Sequence, residues 1–86
     1  MPIISRFFGI AIVLYWNDHA PPHFHAKYGG QEVVIEIKTG RIMKGSLSKR
    51  ATSLVQQWRR GHVRQLIEDW DLARSGQPLK YIEPLE

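Results

Sequence analysis

The segment from Asn17 to His25 carries the residues best suited to chemistry, since three of the chain's four histidines fall within its last seven positions. An unperturbed imidazole titrates near pH 6.5, so at neutral pH one ring can accept a proton while another donates one. Metal-independent cleavage of RNA requires such a pair of groups. The segment therefore predicts acid–base chemistry, with His23 and His25 as the catalytic pair.

A third catalytic residue is expected across the sheet from this pair. His23 and His25 are alternate residues of a predicted strand, so their side chains should point to the same face. If the chain turns back at Gly29-Gly30 in a two-residue hairpin, Glu36 lies directly opposite His23. Glu36 would then fix the tautomer of that imidazole and raise its basicity. Lys27, on the same face, would stabilise negative charge in the transition state.

Two other interpretations of the histidine segment stay open. An imidazole pair of this spacing, completed by Glu36 or by Asp18 and His19 from the preceding loop, could bind Zn²⁺ or non-haem iron. Alternatively, the imidazoles cap the loop and line the sheet through ordinary hydrogen bonds, with no chemistry of their own. The metal interpretation carries less weight than the other two, so we expect neither a metal nor another cofactor.

Basic residues are concentrated in the second half of the chain. Twelve Lys and Arg against eight Asp and Glu give a net charge of +4, which favours anionic partners such as nucleic acid. The stretch from Lys49 to Arg64 contains basic residues and no acidic one. We expect Lys27, Arg60 and Arg64 to hold RNA phosphates, although charge on an outer helix face also serves solubility alone.

The hydrophobic pattern predicts one α+β domain over residues 1–86, because a chain of this length fills only one modest core. Short β-branched and aromatic runs punctuated by glycines predict an antiparallel meander of about four strands. After Ser48 the apolar period becomes helical, which predicts a long C-terminal helix packed on the sheet. A straight helix from Lys49 to Ser75 would approach about 40 Å, so we expect a kink or break near Gly61.

Cellular location and assembly are less strongly indicated. The chain has no cysteine, which fits a reducing compartment. The apolar run from Phe7 to Trp16 lacks a small-residue cleavage site and is too short to span a bilayer. We expect a cytoplasmic protein that has no membrane partner. An edge strand on so small a sheet would allow a homodimer.

The sequence resembles a known family along nearly its whole length. The resemblance rests on the opening Ile3 to Ile10, on the closing Ile82-Glu83-Pro84-Leu85, and above all on the run Asn17-Asp18-His19-Ala20-Pro21-Pro22-His23-Phe24-His25-Ala26. These features are similar to the small bacterial proteins grouped as domain of unknown function 4160. The resemblance implies a component of a toxin–antitoxin type locus, with a small partner protein encoded nearby.

A weaker similarity links the chain to HicA-type messenger RNA interferases. Gly45-Ser46-Leu47 and His23 fall at places comparable with theirs, which implies His23 as the catalytic imidazole. The resulting prediction is a toxin-like protein that cleaves RNA without a metal. A non-catalytic module that binds nucleic acid or protein is the first alternative, and a histidine metal site is the second.

Overall fold

The protein folds as an α+β domain in a computed structural model that describes residues 2–16 and 18–86. Met1 and Asn17 lie outside the described residues, so the histidine segment is described from Asp18 onward. Five antiparallel strands form one sheet in sequential order, as a meander, and two helices follow. The elements are β1 (Ile3–Phe7), β2 (Ile10–Val13), β3 (His23–Tyr28), β4 (Gln31–Glu36), β5 (Ile42–Gly45), α1 (Lys49–Gly61) and α2 (Val63–Arg74).

The central hairpin has the predicted register. Gly29 and Gly30 connect β3 to β4, and Gly29 adopts a φ of 60°, a conformation that glycine reaches without a Cβ clash. Tyr28 pairs with Gln31 at the turn, and His23 pairs with Glu36 at the far end. The prediction that the backbones of His23 and Glu36 lie opposite one another is therefore confirmed.

Two features of the predicted architecture need correction. The sheet has five strands instead of about four, because β1 pairs along its length with β2. The prediction of one long, kinked helix was wrong, because the chain leaves the helical path at His62, whose φ is −136°, and forms two helices. The break lies one residue from the expected position at Gly61. A continuous helix of about 40 Å would exceed the longest dimension of the molecule, which is 33 Å.

The hydrophobic core lies between the helices and one face of the sheet. Trp58 of α1 is fully buried, and its ring centroid lies 5.4 Å from that of Phe7 and 5.9 Å from that of Phe24. The C-terminal tail packs on the body as well, since the Ile82 N–H donates to the Ile4 carbonyl oxygen at 2.7 Å. Aromatic burial on this scale is a large part of what a domain this small can use for stability.

The opposite face of the sheet carries the polar residues of β3 and β4. Residues paired across neighbouring strands share a face, so the register places His25 of β3, Val34 of β4 and Lys44 of β5 in one row. This face holds the candidate site described below. Within residues 2–16 and 18–86, no helix combines the length and apolar character needed to cross a bilayer.

Candidate functional site

His23 and His25 lie side by side on the polar face of the sheet. Their ring centroids are 5.5 Å apart, as expected for alternate residues of one strand. His23 is only 5% exposed, and the side chain of His25 is 16% exposed. The predicted pair is therefore brought together, but it lies largely beneath the surface of the sheet and does not face solvent freely.

Asp18, from the loop before β3, completes a cluster with these two imidazoles. Its Oδ2 atom lies 2.8 Å from Nε2 of His23 and 3.6 Å from Nε2 of His25. Its other carboxylate oxygen, Oδ1, accepts a hydrogen bond of 3.0 Å from the backbone N–H of His19. The loop therefore orients the carboxylate so that one oxygen faces both rings.

The Nδ1 atom of each imidazole lies within hydrogen-bond distance of an acceptor oxygen. The Nδ1–H of His23 donates to the Pro21 carbonyl oxygen at 2.7 Å, and that of His25 donates to Oε2 of Glu32 at 2.6 Å. Because a carbonyl or carboxylate oxygen only accepts, the proton of a neutral His25 ring belongs on Nδ1, whereas His23 has an acceptor at each nitrogen, Pro21 at Nδ1 and Asp18 at Nε2. Nε2 of His25 then directs a lone pair toward Asp18, while Nε2 of His23 lies within hydrogen-bond distance of Oδ2 of Asp18, at 2.8 Å. Nε2 of His25 is buried and has no hydrogen-bond partner among the described residues.

The electrostatics of the cluster favour an ionised Asp18. Burial by itself raises the pKa of the carboxyl group, but the hydrogen bond from the His19 amide, the charge and hydrogen bond of His23, and the weaker contact of His25 at 3.6 Å outweigh it. The pKa of Asp18 therefore lies below its ordinary value. At neutral pH a carboxylate faces two imidazole nitrogens, an arrangement that suits a cation placed between them.

The separations within the cluster also match the requirements of a metal ion. One ligand atom from each of Asp18, His23 and His25 can be chosen so that all lie within 4.8 Å of one another. Ligand atoms of tetrahedral Zn²⁺ are separated by roughly 3.3 Å, given metal–ligand bonds of about 2.0 to 2.1 Å. The two distances from Asp18 lie on either side of this value. Separations in the cluster extend up to 4.8 Å, so its side chains would have to draw together around a transition-metal ion.

Aromatic side chains pack against the cluster, and a cleft opens beside it. Tyr15 meets His25 edge-on at 4.6 Å between ring centroids, and Trp70 of α2 lies 5.1 Å from the ring of His23. The cleft has a volume of about 310 Å³. Its lining consists of Asp18, His19, His23, His25, Val34, Met43 and Lys44. A small molecule or one group of a larger one could enter at this point.

Glu36, the predicted orienting carboxylate, does not contact His23 with its side chain. Its Oε1 atom accepts hydrogen bonds from the Thr39 hydroxyl at 2.8 Å and from Nε of Arg41 at 3.2 Å. The hydrogen bond from Thr39 is the largest reason that the pKa of Glu36 lies below its ordinary value. The Glu36 carboxylate thus stabilises the turn between β4 and β5. Asp18 and Glu32 hold the imidazoles in its place.

The predicted phosphate-binding residues do not converge on the cluster. Lys27 lies over the Tyr15 ring, with Nζ 5.7 Å from the centroid, and the hydrogen bond that its ammonium donates to the Tyr15 oxygen is the main cause that raises the pKa of Lys27. Arg60 and Arg64 are exposed on the last turn of α1 and the first turn of α2, and neither lines the cleft. Because α1 ends at Gly61, the helix dipole itself favours a cation at Arg60.

The sequence interpretation missed two residues of the site. Glu32 is the diagonal neighbour of His25 across the hairpin, so the predicted register already contained a signal for this contact. The sequence held no such signal for Lys44, because an irregularity in the pairing of β4 with β5 places Lys44 opposite Val34. The fourth histidine, His62, lies elsewhere. It donates from Nδ1 to the Trp58 carbonyl oxygen at 2.8 Å and stacks on that tryptophan.

Comparisons with known proteins bear on the family and not on the activity. Neither a search of curated proteins nor a search of solved structures found a match. The similarity to HicA-type interferases stays a prediction. The family model described as a domain of unknown function, DUF4160, matches residues 9–71, a stretch that contains Asp18, His23, His25 and Glu32. This stretch covers most of the chain, which therefore belongs to the DUF4160 family.

Proposed function

We propose that this protein binds a divalent transition-metal ion, preferentially Zn²⁺, through Oδ2 of Asp18 and the Nε2 atoms of His23 and His25. One observation carries the proposal: in each of the three groups, the atom not used for the metal is already held by the protein. Metal-binding histidines usually donate their second N–H to a carbonyl or carboxylate oxygen. His23 and His25 show one case of each kind.

A proton shared within this cluster would leave more polar atoms without a partner than a bound metal ion would. A proton on Nε2 of His23 would make an ion pair with Asp18 across the 2.8 Å separation. It would leave Nε2 of His25 buried without a partner, and an unsatisfied buried polar atom costs about 1–3 kcal/mol. A metal ion accepts the lone pairs of both imidazoles and neutralises the carboxylate at once.

The ligand types decide which metals and which chemistry fit. Two imidazole nitrogens and one carboxylate oxygen are ligands that Zn²⁺ and Fe²⁺ share. A site with three protein ligands and an open position is typical of catalytic zinc, where the ion lowers the pKa of bound water to about 7. The cleft beside His23 and His25 would admit the water or substrate that such an ion needs. The proposed activity is therefore hydrolytic: an ion held by Asp18, His23 and His25 would supply an activated water for attack on the substrate.

RNA cleavage by the two imidazoles alone stays a prediction, and the geometry favours it less. An acid–base pair needs nitrogen atoms that reach the substrate. His23 is 5% exposed, and Nε2 of His25 is buried. The toxin role, the RNA partner and the small partner protein likewise remain predictions. Arg60 and Arg64, which were predicted to hold RNA phosphates, do not line the cleft.

Isothermal titration of untagged protein with Zn²⁺ tests the proposal. The parent protein should bind one equivalent, and Asp18→Ala should abolish this binding while the circular dichroism spectrum stays unchanged. Asp71→Ala is the matched control, because Asp71 is an exposed aspartate of α2 that does not line the cleft. The control should bind as the parent does. Absence of binding by the parent, or equal binding by Asp18→Ala, would refute the proposal.

A further inference from the structure

Lys44 is placed beside the proposed metal centre but takes no part in it. It lies in the same cross-strand row as His25, two strands away, which corresponds to roughly 10 Å between their backbones. It lines the cleft that contains Asp18 and His23. It also lines an adjoining cleft of about 400 Å³ that contains Tyr15, His25 and Glu32. Lys44 thus borders both clefts beside the cluster.

The ammonium group of Lys44 has no protein partner in the described part of the chain, where neither a hydrogen bond nor an ion pair involves it. The two acidic residues of these clefts are already occupied, since Asp18 faces the imidazoles and Glu32 accepts from His25. A free cation beside a site with an open metal position is available to a ligand.

The position of Lys44 is fixed by the glycine that follows it. Gly45 has a φ of 74°, and a Cβ atom there would collide with the carbonyl oxygen of Glu32. Only a residue without a side chain allows this close approach of β5 to β4. Because Gly45 pairs with Val33 and Lys44 with Val34, the approach holds the lysine next to the clefts.

We infer that Lys44 and the metal ion together bind an oxyanion of the substrate, a phosphoryl or a carboxylate group. This inference rests on the proposed metal site. A divalent ion with one carboxylate ligand keeps one net positive charge, and Lys44 adds a second, so the clefts stay positive even with the negative charge of Glu32 beside His25. One oxygen of the substrate would occupy the open metal position, and another would accept from Nζ of Lys44.

Anion binding to Co²⁺-substituted protein tests the inference, since visible absorption of the ion changes when an anion enters its coordination sphere. Sodium phosphate and sodium acetate are titrated separately, so that phosphoryl and carboxylate chemistry are distinguished. At least one of them should bind the parent protein. Lys44→Met should weaken that binding about tenfold, the effect of losing one charge-assisted hydrogen bond.

Lys38→Met is the matched control, because Lys38 is also exposed but does not line either cleft. It should bind the anion as the parent does. Equal anion affinity in the parent and Lys44→Met, or no anion binding by either, overturns the inference while leaving the metal site intact. If the parent fails to take up Co²⁺ and Zn²⁺, the proposed function fails first and the inference falls with it.

Discussion

The Nδ1–H of His25 donates a hydrogen bond of 2.6 Å to the carboxylate of Glu32, a residue on the neighbouring strand. The contact fixes the orientation of the ring and places the proton on the nitrogen that faces away from Asp18. A charged acceptor also makes the opposite nitrogen a stronger electron-pair donor. Glu32 is thus a positioning residue that acts through His25.

Glu32→Gln should therefore weaken Zn²⁺ binding without abolishing it. Loss of such an outer contact lowers metal affinity by about 10- to 100-fold. Competition with a chelating dye measures the change. Glu68→Gln is the control, because Glu68 is an exposed glutamate that pairs with Lys80 away from the cluster. Equal losses in both variants would mean that charge alone, and not the contact with His25, sets the affinity.

Zn²⁺ should stabilise the folded protein if the three ligands are brought together only by folding. At a free metal concentration of 100 times Kd, the stabilisation is about 2.7 kcal/mol. For a domain of this size the melting temperature should rise by roughly 10 to 20 °C. Thermal unfolding followed by circular dichroism measures the shift. The shift should vanish in His25→Gln, and an unchanged shift in that variant would place the metal elsewhere.

Asp69 on α2 should make stability depend on pH in the acidic range. The residue is 1% exposed, its Oδ1 accepts from the Lys80 N–H at 2.9 Å, and Oδ2 has no partner among the described residues. Burial is the main cause that raises the pKa of Asp69. The folded state therefore keeps this proton to higher pH than the unfolded chain does. Stability from this group is greatest below the unfolded pKa and falls as the pH rises through the folded value.

Asp69→Asn removes the loss of stability at higher pH, because an amide carries no charge at any pH. The free energy of unfolding of the variant minus that of the parent should be larger at pH 7 than at pH 4. Urea unfolding in the presence of a chelator measures both values without interference from metal. Asp71→Asn, an exposed neighbour on the same helix, is the control. A relative stability that is the same at both pH values, or larger at pH 4, would contradict this account of Asp69.

Gly45→Ala should destabilise the protein and disturb the end of β5. The Cβ atom would meet the Glu32 carbonyl oxygen at a residue whose φ is positive, and strain of this kind costs on the order of 1–3 kcal/mol. Urea unfolding measures the loss. Gly30→Ala is the comparison, because a Cβ there meets nothing within 4 Å. Similar stability of Gly45→Ala and the parent would show that β5 can move away from β4 at little cost.

The sequence predicted the central hairpin well because the glycine turn fixes the register and alternation fixes the faces. That logic brought His23 and His25 together and placed Glu36 opposite His23. It did not predict where the Glu36 carboxylate would point, since Thr39 and Arg41 in the next turn compete for it. Asp18 was only one of several loop candidates, because the path of the loop through Pro21 and Pro22 has no periodicity from which its geometry could be predicted.

The most direct test of the metal site is the nitrogen NMR spectrum of the imidazoles, recorded through long-range proton–nitrogen couplings with and without one equivalent of Zn²⁺. The account predicts that the Nε2 resonances of His23 and His25 move to the range of metal-bound nitrogen while their Nδ1 atoms stay protonated. The resonances of His19 and His62 should not move. Unchanged Nε2 resonances of His23 and His25, or Zn²⁺ bound at His19 in their place, would contradict it.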